Sequence, residues 1–130
     1  MELMVVLVLI SIIAGFALPN YRKAIRRAHE RDAIAQLSLI YGANAIYFTK
    51  NSQYIPTGAG DIDYINTTLG LSVISNGMVY GYNRSAANRF TAASQWVDEG
   101  NSFTVRIDES FIQPGNPCCS NGVCPTLPNC

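Results

Sequence analysis

The chain opens with an almost unbroken apolar stretch. Residues 3–18 are apolar except for Ser11 and Gly15. The stretch is slightly short for a membrane span, which needs about 17–25 residues, although the methylene groups of Glu2 extend it. A buried core helix should show a polar stripe, and a signal peptide should carry a basic residue in front and a cleavage site behind. Neither pattern is present, so the stretch favours a membrane anchor.

A second helical pattern follows Pro19 and runs to about Lys50. Its apolar side chains recur at steps of three and four, which predicts an amphipathic helix. These side chains are Ile34, Leu37, Tyr41, Ala45 and Phe48. Arg26, Glu30 and Arg31 are expected to face water. Pro19 lacks a backbone donor and should kink the helix, which makes Gly15 to Pro19 its weak point. An unbroken helix of this length would span roughly 75 Å.

The remaining residues, 51–130, predict a small head with the amphipathic helix, residues 20–50, as its spine. Residues 57–63 indicate a loop, and residues 68–74 fit either a short helix or a strand. Strands are predicted at Met78 to Asn83, Phe90 to Ser94 and Phe103 to Ile107, with turns at Asn76-Gly77 and at residues 98–102. Short successive strands favour an antiparallel meander covered by the long helix, an α+β fold.

All four cysteines lie within the last thirteen residues, in a segment rich in Pro, Asn and Gly that fits neither a helix nor a central strand. An even cysteine count in such a tail indicates two disulfides and an oxidising compartment. A bridge between adjacent cysteines is strained. Two pairings stay open: Cys118–Cys124 with Cys119–Cys130, or Cys118–Cys130 with Cys119–Cys124. A four-thiolate zinc site is less favoured, because the two C-x-x-C knuckles of such sites are missing.

Charge is balanced overall but uneven locally. The net charge is zero, and five of the nine basic residues lie within ten positions: Arg22, Lys23, Arg26, Arg27 and Arg31. This basic cluster, so close to the apolar stretch, predicts contact with lipid headgroups. DNA binding is the less favoured alternative. The positive-inside rule would place the cluster in the cytoplasm, whereas the cysteines on the same side indicate an oxidising space.

The sequence offers little for catalysis or metal binding. His29 is the only histidine, and neither a Ser-His-Asp set, a phosphate loop nor an HExxH motif is present. The spacing of the acids Asp61, Asp63, Asp98 and Glu99 matches no calcium loop. We therefore expect neither enzymatic activity nor a cofactor.

The N-terminal residues resemble those of a known family. The opening Glu2-Leu3-Met4-Val5-Val6, the apolar run and Pro19-Asn20-Tyr21 are similar to the N-terminus of type IV pilins and of the related type II secretion pseudopilins. Mature chains of that family begin F-T-L-I-E-L-M-V-V and reach a proline at the end of the span. Tyr47-Phe48 and Gln53-Tyr54, followed by a meander and a cysteine-containing tail, fit more loosely. The resemblance implies a leader and three residues ahead of Met1. The basic patch of such a leader would resolve the conflict over orientation.

The resemblance also implies a function. The chain would be the subunit of a surface filament serving adhesion, motility or DNA uptake; a secretion pseudopilin or a minor, tip-binding pilin is the alternative. Glu2 would pair with the N-terminal amine of a neighbouring subunit during assembly. Partners would be further copies of the chain, the inner membrane before assembly, the prepilin peptidase and the assembly machinery, with nucleic acid not expected. Residues 1–19 would form the filament core.

Overall fold

The computed structural model describes residues 2–57, 61–98, 102–110 and 116–130, without the side chains of residues 2, 16 and 17. Its dominant element is a single helix of fifty residues, α1, from Glu2 to Asn51. At about 1.5 Å per residue, the helix is about 75 Å long. Pro19 lies inside α1 without ending it, since the missing donor removes only one of many backbone hydrogen bonds. The predicted rod is confirmed, whereas the kink expected at Pro19 stays a prediction.

The C-terminal half of α1 packs on the head along a line one step away from the predicted stripe. Its innermost side chains belong to Glu30, Ala33, Leu37, Ile40 and Asn44, all 0–1% exposed. Of the predicted stripe only Leu37 is fully buried, and its other members flank this line. The expectation that Glu30 faces water is wrong. Periodicity counts apolar residues, and here two polar side chains occupy the most buried line because the head supplies hydrogen-bond partners for them.

A four-stranded antiparallel sheet packs against α1, with the spatial order β1-β2-β3-β4. The strands are β1 (Met78–Ala86), β2 (Arg89–Trp96), β3 (Phe103–Asp108) and β4 (Cys118–Gly122). Buried residues alternate with half-buried or exposed ones along β2, β3 and the first five residues of β1, which turns one sheet face toward the helix. The predicted meander and α+β class are confirmed, and the first three strands extend the predicted ones by up to three residues at either end.

A second helix, α2 (Ile62–Leu69), was not predicted. Asp61 caps its N-terminus and Gly70, with a φ of 65°, closes its C-terminus. The expectation of a loop is wrong for residues 62 and 63. Residues 71–75 are neither helix nor strand, because the Asn66 side chain bonds both backbone groups of Val73 at 2.8 and 2.9 Å. Residues 58–60, part of the same predicted loop, lie outside the described residues.

The turns follow the sequence where the structure describes them. Asn76 and Gly77 have φ values of 40° and 77°, as a tight turn entering β1 requires. Residues 99–101 of the predicted turn at 98–102, including Glu99, lie outside the described residues. Gly122 has a φ of 77°, and a Cβ there would stand 2.1 Å from the carbonyl oxygen of Ser102. Only glycine allows β4 to approach the start of β3 this closely.

Candidate assembly surface

The N-terminal third of α1 projects from the head, and its described side chains are uncovered. Between Leu3 and Leu18 the large apolar side chains that the structure describes are 51% to 82% exposed. One window of 18 residues reaches a mean hydropathy of 2.4, and none of it is buried within the subunit. The helix is therefore long and apolar enough to cross a membrane. Each large apolar side chain left in water forgoes roughly 1.5–3 kcal/mol, so this surface requires a cover of lipid or protein.

The predicted assembly residue, Glu2, and the two predicted weak points of the helix, Gly15 and Pro19, occupy different positions on this segment. Glu2 begins α1, and its side chain lies outside those described. A Cβ at Gly15 would meet no atom within 4 Å, so packing within the subunit does not require a glycine there. Pro19 lies where α1 reaches the head and borders a cleft described below. The structure thus separates Glu2 at one end of the apolar segment from Pro19 at the other by about 25 Å of helix.

The C-terminal tail is closed by two disulfides, Cys118–Cys130 and Cys119–Cys124, with S–S distances of 2.06 and 2.09 Å. This is the second of the two pairings that the sequence left open. Successive residues of a strand point to opposite faces, so the two adjacent cysteines of β4 reach different partners without strain. No free cysteine remains, and hence no thiolate is left for zinc. The prediction of two disulfides is confirmed.

The tail is also bonded along its backbone. The Cys119 N–H donates to the Pro128 carbonyl at 2.7 Å, and the Cys130 N–H donates to the Cys119 carbonyl at 3.0 Å. Cys119 is 3% exposed and pairs with Val105 of β3. The strand β4 was missed because Pro, Asn and Gly argue against a strand, and the edge of a sheet tolerates such a segment. These contacts hold the tail, residues 116–130, on the edge of the meander.

One buried acid joins this tail to the long helix. Glu30 Oε1 accepts hydrogen bonds from the Thr126 N–H, the Thr126 hydroxyl and the Leu127 N–H, each at 3.0 Å. Its second oxygen, Oε2, is buried without a hydrogen-bond partner. Sequence reasoning missed this role, because 96 residues separate Glu30 from Thr126. The only available signal was that Glu30 falls at helical spacing from Ala33 and Leu37.

A second polar contact fixes the other end of the helix. The Asn44 amide donates to the Tyr82 hydroxyl at 2.8 Å, and the Ile55 N–H donates to Asn44 Oδ1 at 3.2 Å. The Tyr82 hydroxyl donates to the Ile55 carbonyl at 3.3 Å. Burial raises the pKa of Tyr82 to about 12, although the hydrogen bond from Asn44 opposes the shift. Glu30 and Asn44 thus bond the head to α1 at two points fourteen residues apart.

The basic cluster lies where the apolar segment ends and the head begins. Arg22, Lys23, Arg27 and Arg31 are exposed, whereas Arg26 is half-buried. Part of the cluster lines a cleft of about 320 Å³ between α1 and the end of β2. His29 stacks on Trp96 with ring centroids 4.9 Å apart, so the only histidine has a packing role.

Within residues 2–57, 61–98, 102–110 and 116–130, no group of three His, Cys, Asp or Glu side chains is placed to hold a metal ion.

The described parts of the chain therefore combine an uncovered apolar helix, a basic cluster and a disulfide-closed head, a shape consistent with that of a pilin subunit. Comparisons with protein-family models, with curated proteins and with solved structures found no match for the chain.

Proposed function

We propose that the chain is the structural subunit of a surface filament of the type IV pilus kind, held in the inner membrane before assembly and outside the cell afterwards. The observation that supports this proposal best is the difference in burial between the two parts of α1. The C-terminal part packs one face against a disulfide-closed head, while the apolar segment is 0% buried. A soluble protein with this surface would aggregate, whereas a filament core covers it with the same segment of neighbouring subunits.

The energetics assign separate roles to the apolar surface and to Glu2. Covering the exposed side chains of residues 3–18 is worth on the order of 10–20 kcal/mol per subunit relative to water. Lipid tails cover them equally well, so this term does not favour the filament over the membrane. Burial of this surface instead prevents an assembled subunit from leaving the fibre for water. Entry into the fibre needs a polar contact, and a carboxyl group at the start of the helix suits a neighbour's N-terminal amine.

The two disulfides support the outward location of the head. A bridge persists in an oxidising space such as the periplasm or the cell surface. Both bridges lie at the tail, far along the chain from the apolar segment, and they leave no thiol for other chemistry. The head on which they lie would form the outer surface of the fibre, where a covalently closed tail resists local unfolding.

Substitution of Glu2 tests the proposal. In cells producing Glu2→Ala, the protein should reach the membrane in normal amount and form both disulfides, yet yield few sheared filaments. Asp63→Ala is the matched control, because it removes one negative charge from an exposed position in the head and should assemble normally. A normal yield of filaments from Glu2→Ala would refute the role of the carboxyl group. Wild-type chain confined to the membrane under conditions that produce surface filaments would refute the proposed function.

A further inference from the structure

The cleft beside the basic cluster has a composition suited to a small anion. Its volume is about 320 Å³, near the lower limit of small-molecule sites. It is lined by Pro19, Arg22, Lys23, Ile25, Arg26, Trp96 and Asp98. Three cations and one carboxyl group therefore line the described part of this cleft. The excess of positive charge favours a phosphate-sized anion.

Arg26 is the innermost cation of this cleft. It is half-buried, and its Nε is buried without a hydrogen-bond partner. A buried donor without an acceptor costs free energy until a ligand supplies one. The nearest acid along the same helix face is Glu30, whose Oε1 holds the tail and whose Oε2 has no hydrogen-bond partner. Within the described residues the ion pair closer than 4 Å is Arg89–Glu109, so Glu30 does not neutralise Arg26 by direct pairing. Arginine pairs well with phosphate oxygens, since its planar guanidinium donates two parallel hydrogen bonds.

The height of the cleft along α1 points to the source of the phosphate. At about 1.5 Å per residue, Arg22 lies about 6 Å and Arg26 about 12 Å beyond Leu18. The polar layer on each side of a bilayer is roughly 5–8 Å thick. Helical side chains are tilted toward the N-terminus of their helix, so these long cations reach back toward the apolar segment. With residues 3–18 in the hydrocarbon, Arg22 and Arg26 would meet the phosphate layer.

We propose that this cleft binds the phosphate headgroup of an anionic phospholipid while the subunit waits in the membrane. The inference rests on the proposed function, because it needs the apolar segment inside a bilayer. A bound headgroup would hold the base of the head at one height and one rotation relative to the membrane surface. Free phosphate is the weaker candidate, since the cleft opens at the depth where lipid phosphate is concentrated.

The single tryptophan provides a direct probe, because Trp96 lines the cleft. The full chain is reconstituted into phosphatidylcholine nanodiscs that contain brominated phosphatidylglycerol or brominated phosphatidylcholine at equal mole fractions. The brominated phosphatidylglycerol should quench Trp96 more strongly. A basic residue that contacts an anionic headgroup contributes roughly fivefold to the preference. The double variant Arg22→Gln/Arg26→Gln should therefore lower the preference by roughly 25-fold, whereas the part that Lys23 supplies should remain.

The control removes the same charge from the same helix. Arg27 and Arg31 do not line this cleft, so Arg27→Gln/Arg31→Gln should keep the preference. Circular dichroism and mass spectrometry of the disulfides establish that both double variants are folded. An equal loss in both variants would show general surface attraction and overturn the cleft proposal.

The remaining outcomes separate headgroup binding by the cleft from the membrane anchor on which it rests. Equal quenching of the wild type by both brominated lipids would overturn headgroup binding and leave the membrane anchor standing. A chain that elutes apart from the nanodiscs, with no quenching by either lipid, would overturn the anchor itself. A change in Trp96 emission on adding inorganic phosphate to nanodiscs of phosphatidylcholine alone would assign the cleft to free phosphate and overturn the lipid assignment.

Discussion

Substitution of Glu30 should detach the disulfide-closed tail from the long helix. In the structure, one carboxyl oxygen of Glu30 accepts the backbone N–H groups of Thr126 and Leu127 together with the Thr126 hydroxyl. Glu30→Ala removes all three bonds and opens a cavity. A hydrogen bond to a charged group contributes about 1.5–3 kcal/mol, and water compensates for part of the loss because Thr126 is exposed and Leu127 is half-buried. The free energy of unfolding should therefore fall by about 3 kcal/mol. Glu30→Gln keeps an acceptor oxygen at the same place and should cost only about 1 kcal/mol.

Two measurements on the full chain in a neutral detergent, with both disulfides intact, test this expectation. Denaturant unfolding followed by the emission of Trp96 gives the change in global stability. Hydrogen exchange of the Thr126 and Leu127 amides gives the local change, and Glu30→Ala should accelerate exchange at both positions by roughly 100-fold. Amides in the centre of β2 serve as the internal control, since they should follow only the global change.

Comparison of the two Glu30 variants decides whether the hydrogen bonds matter. If Glu30→Ala and Glu30→Gln are equally stable and exchange alike, acceptance by Oε1 contributes nothing. The burial of Glu30 would then be a consequence of packing alone. If Glu30→Ala is more stable than the wild type, the cost of removing the Glu30 carboxyl group from water exceeds the free energy of its three hydrogen bonds.

Three further outcomes are expected. Because burial raises the pKa of Tyr82 to about 12 from 10, the folded state holds its proton longer than the unfolded state. The contribution of the Tyr82 hydroxyl to the free energy of unfolding is complete below pH 10 and is lost between pH 10 and 12, by roughly 2 kcal/mol. Tyr82→Phe should flatten this part of a plot of stability against pH. An unchanged plot would contradict the raised pKa. Reduction of both disulfides should leave the helix content measured by far-UV circular dichroism unchanged. Amide exchange should rise mainly in residues 118–130, since each bridge contributes about 2–4 kcal/mol to the stability of the tail. Loss of α1 on reduction would contradict this prediction. In an assembled filament the backbone of residues 11–19 should lose regular hydrogen bonding. Gly15→Ala should restore it, because alanine favours helix by about 1 kcal/mol and its Cβ meets no atom within 4 Å in the subunit. A filament map that shows unbroken wild-type helix over these residues would refute this prediction.

The parts of the fold that could be predicted depend on neighbours in sequence. Helix α1 follows from an apolar run joined to a pattern of period 3.6, and β1 to β3 follow from alternation bounded by turn residues. The Asn76-Gly77 turn carries its own conformational preference. These signals are local, so sequence alone was sufficient for them.

The parts that were missed depend on residues far apart in the chain. Glu30 carries no local sign that Thr126 and Leu127 will supply its donors, so its burial could not be foreseen. The strand β4 exists because β3 offers an edge to a segment of low strand propensity. The disulfide pairing stayed open because both arrangements close loops of similar length and both send Cys118 and Cys119 to different partners, so no local pattern separates them. Helix α2 is eight residues long, too short for periodicity to distinguish it from a loop.

The central claim is that the uncovered N-terminal third of α1 becomes the core of a surface fibre, and filaments sheared from cells test it most directly. Mass spectrometry of the sheared fraction should find this chain as the dominant subunit, with both disulfides formed. Electron microscopy of the same fraction should show residues 3–18 at the fibre axis and the heads outside. Sheared filaments that lack the chain, or that carry its apolar segment on the outer surface, would contradict the account.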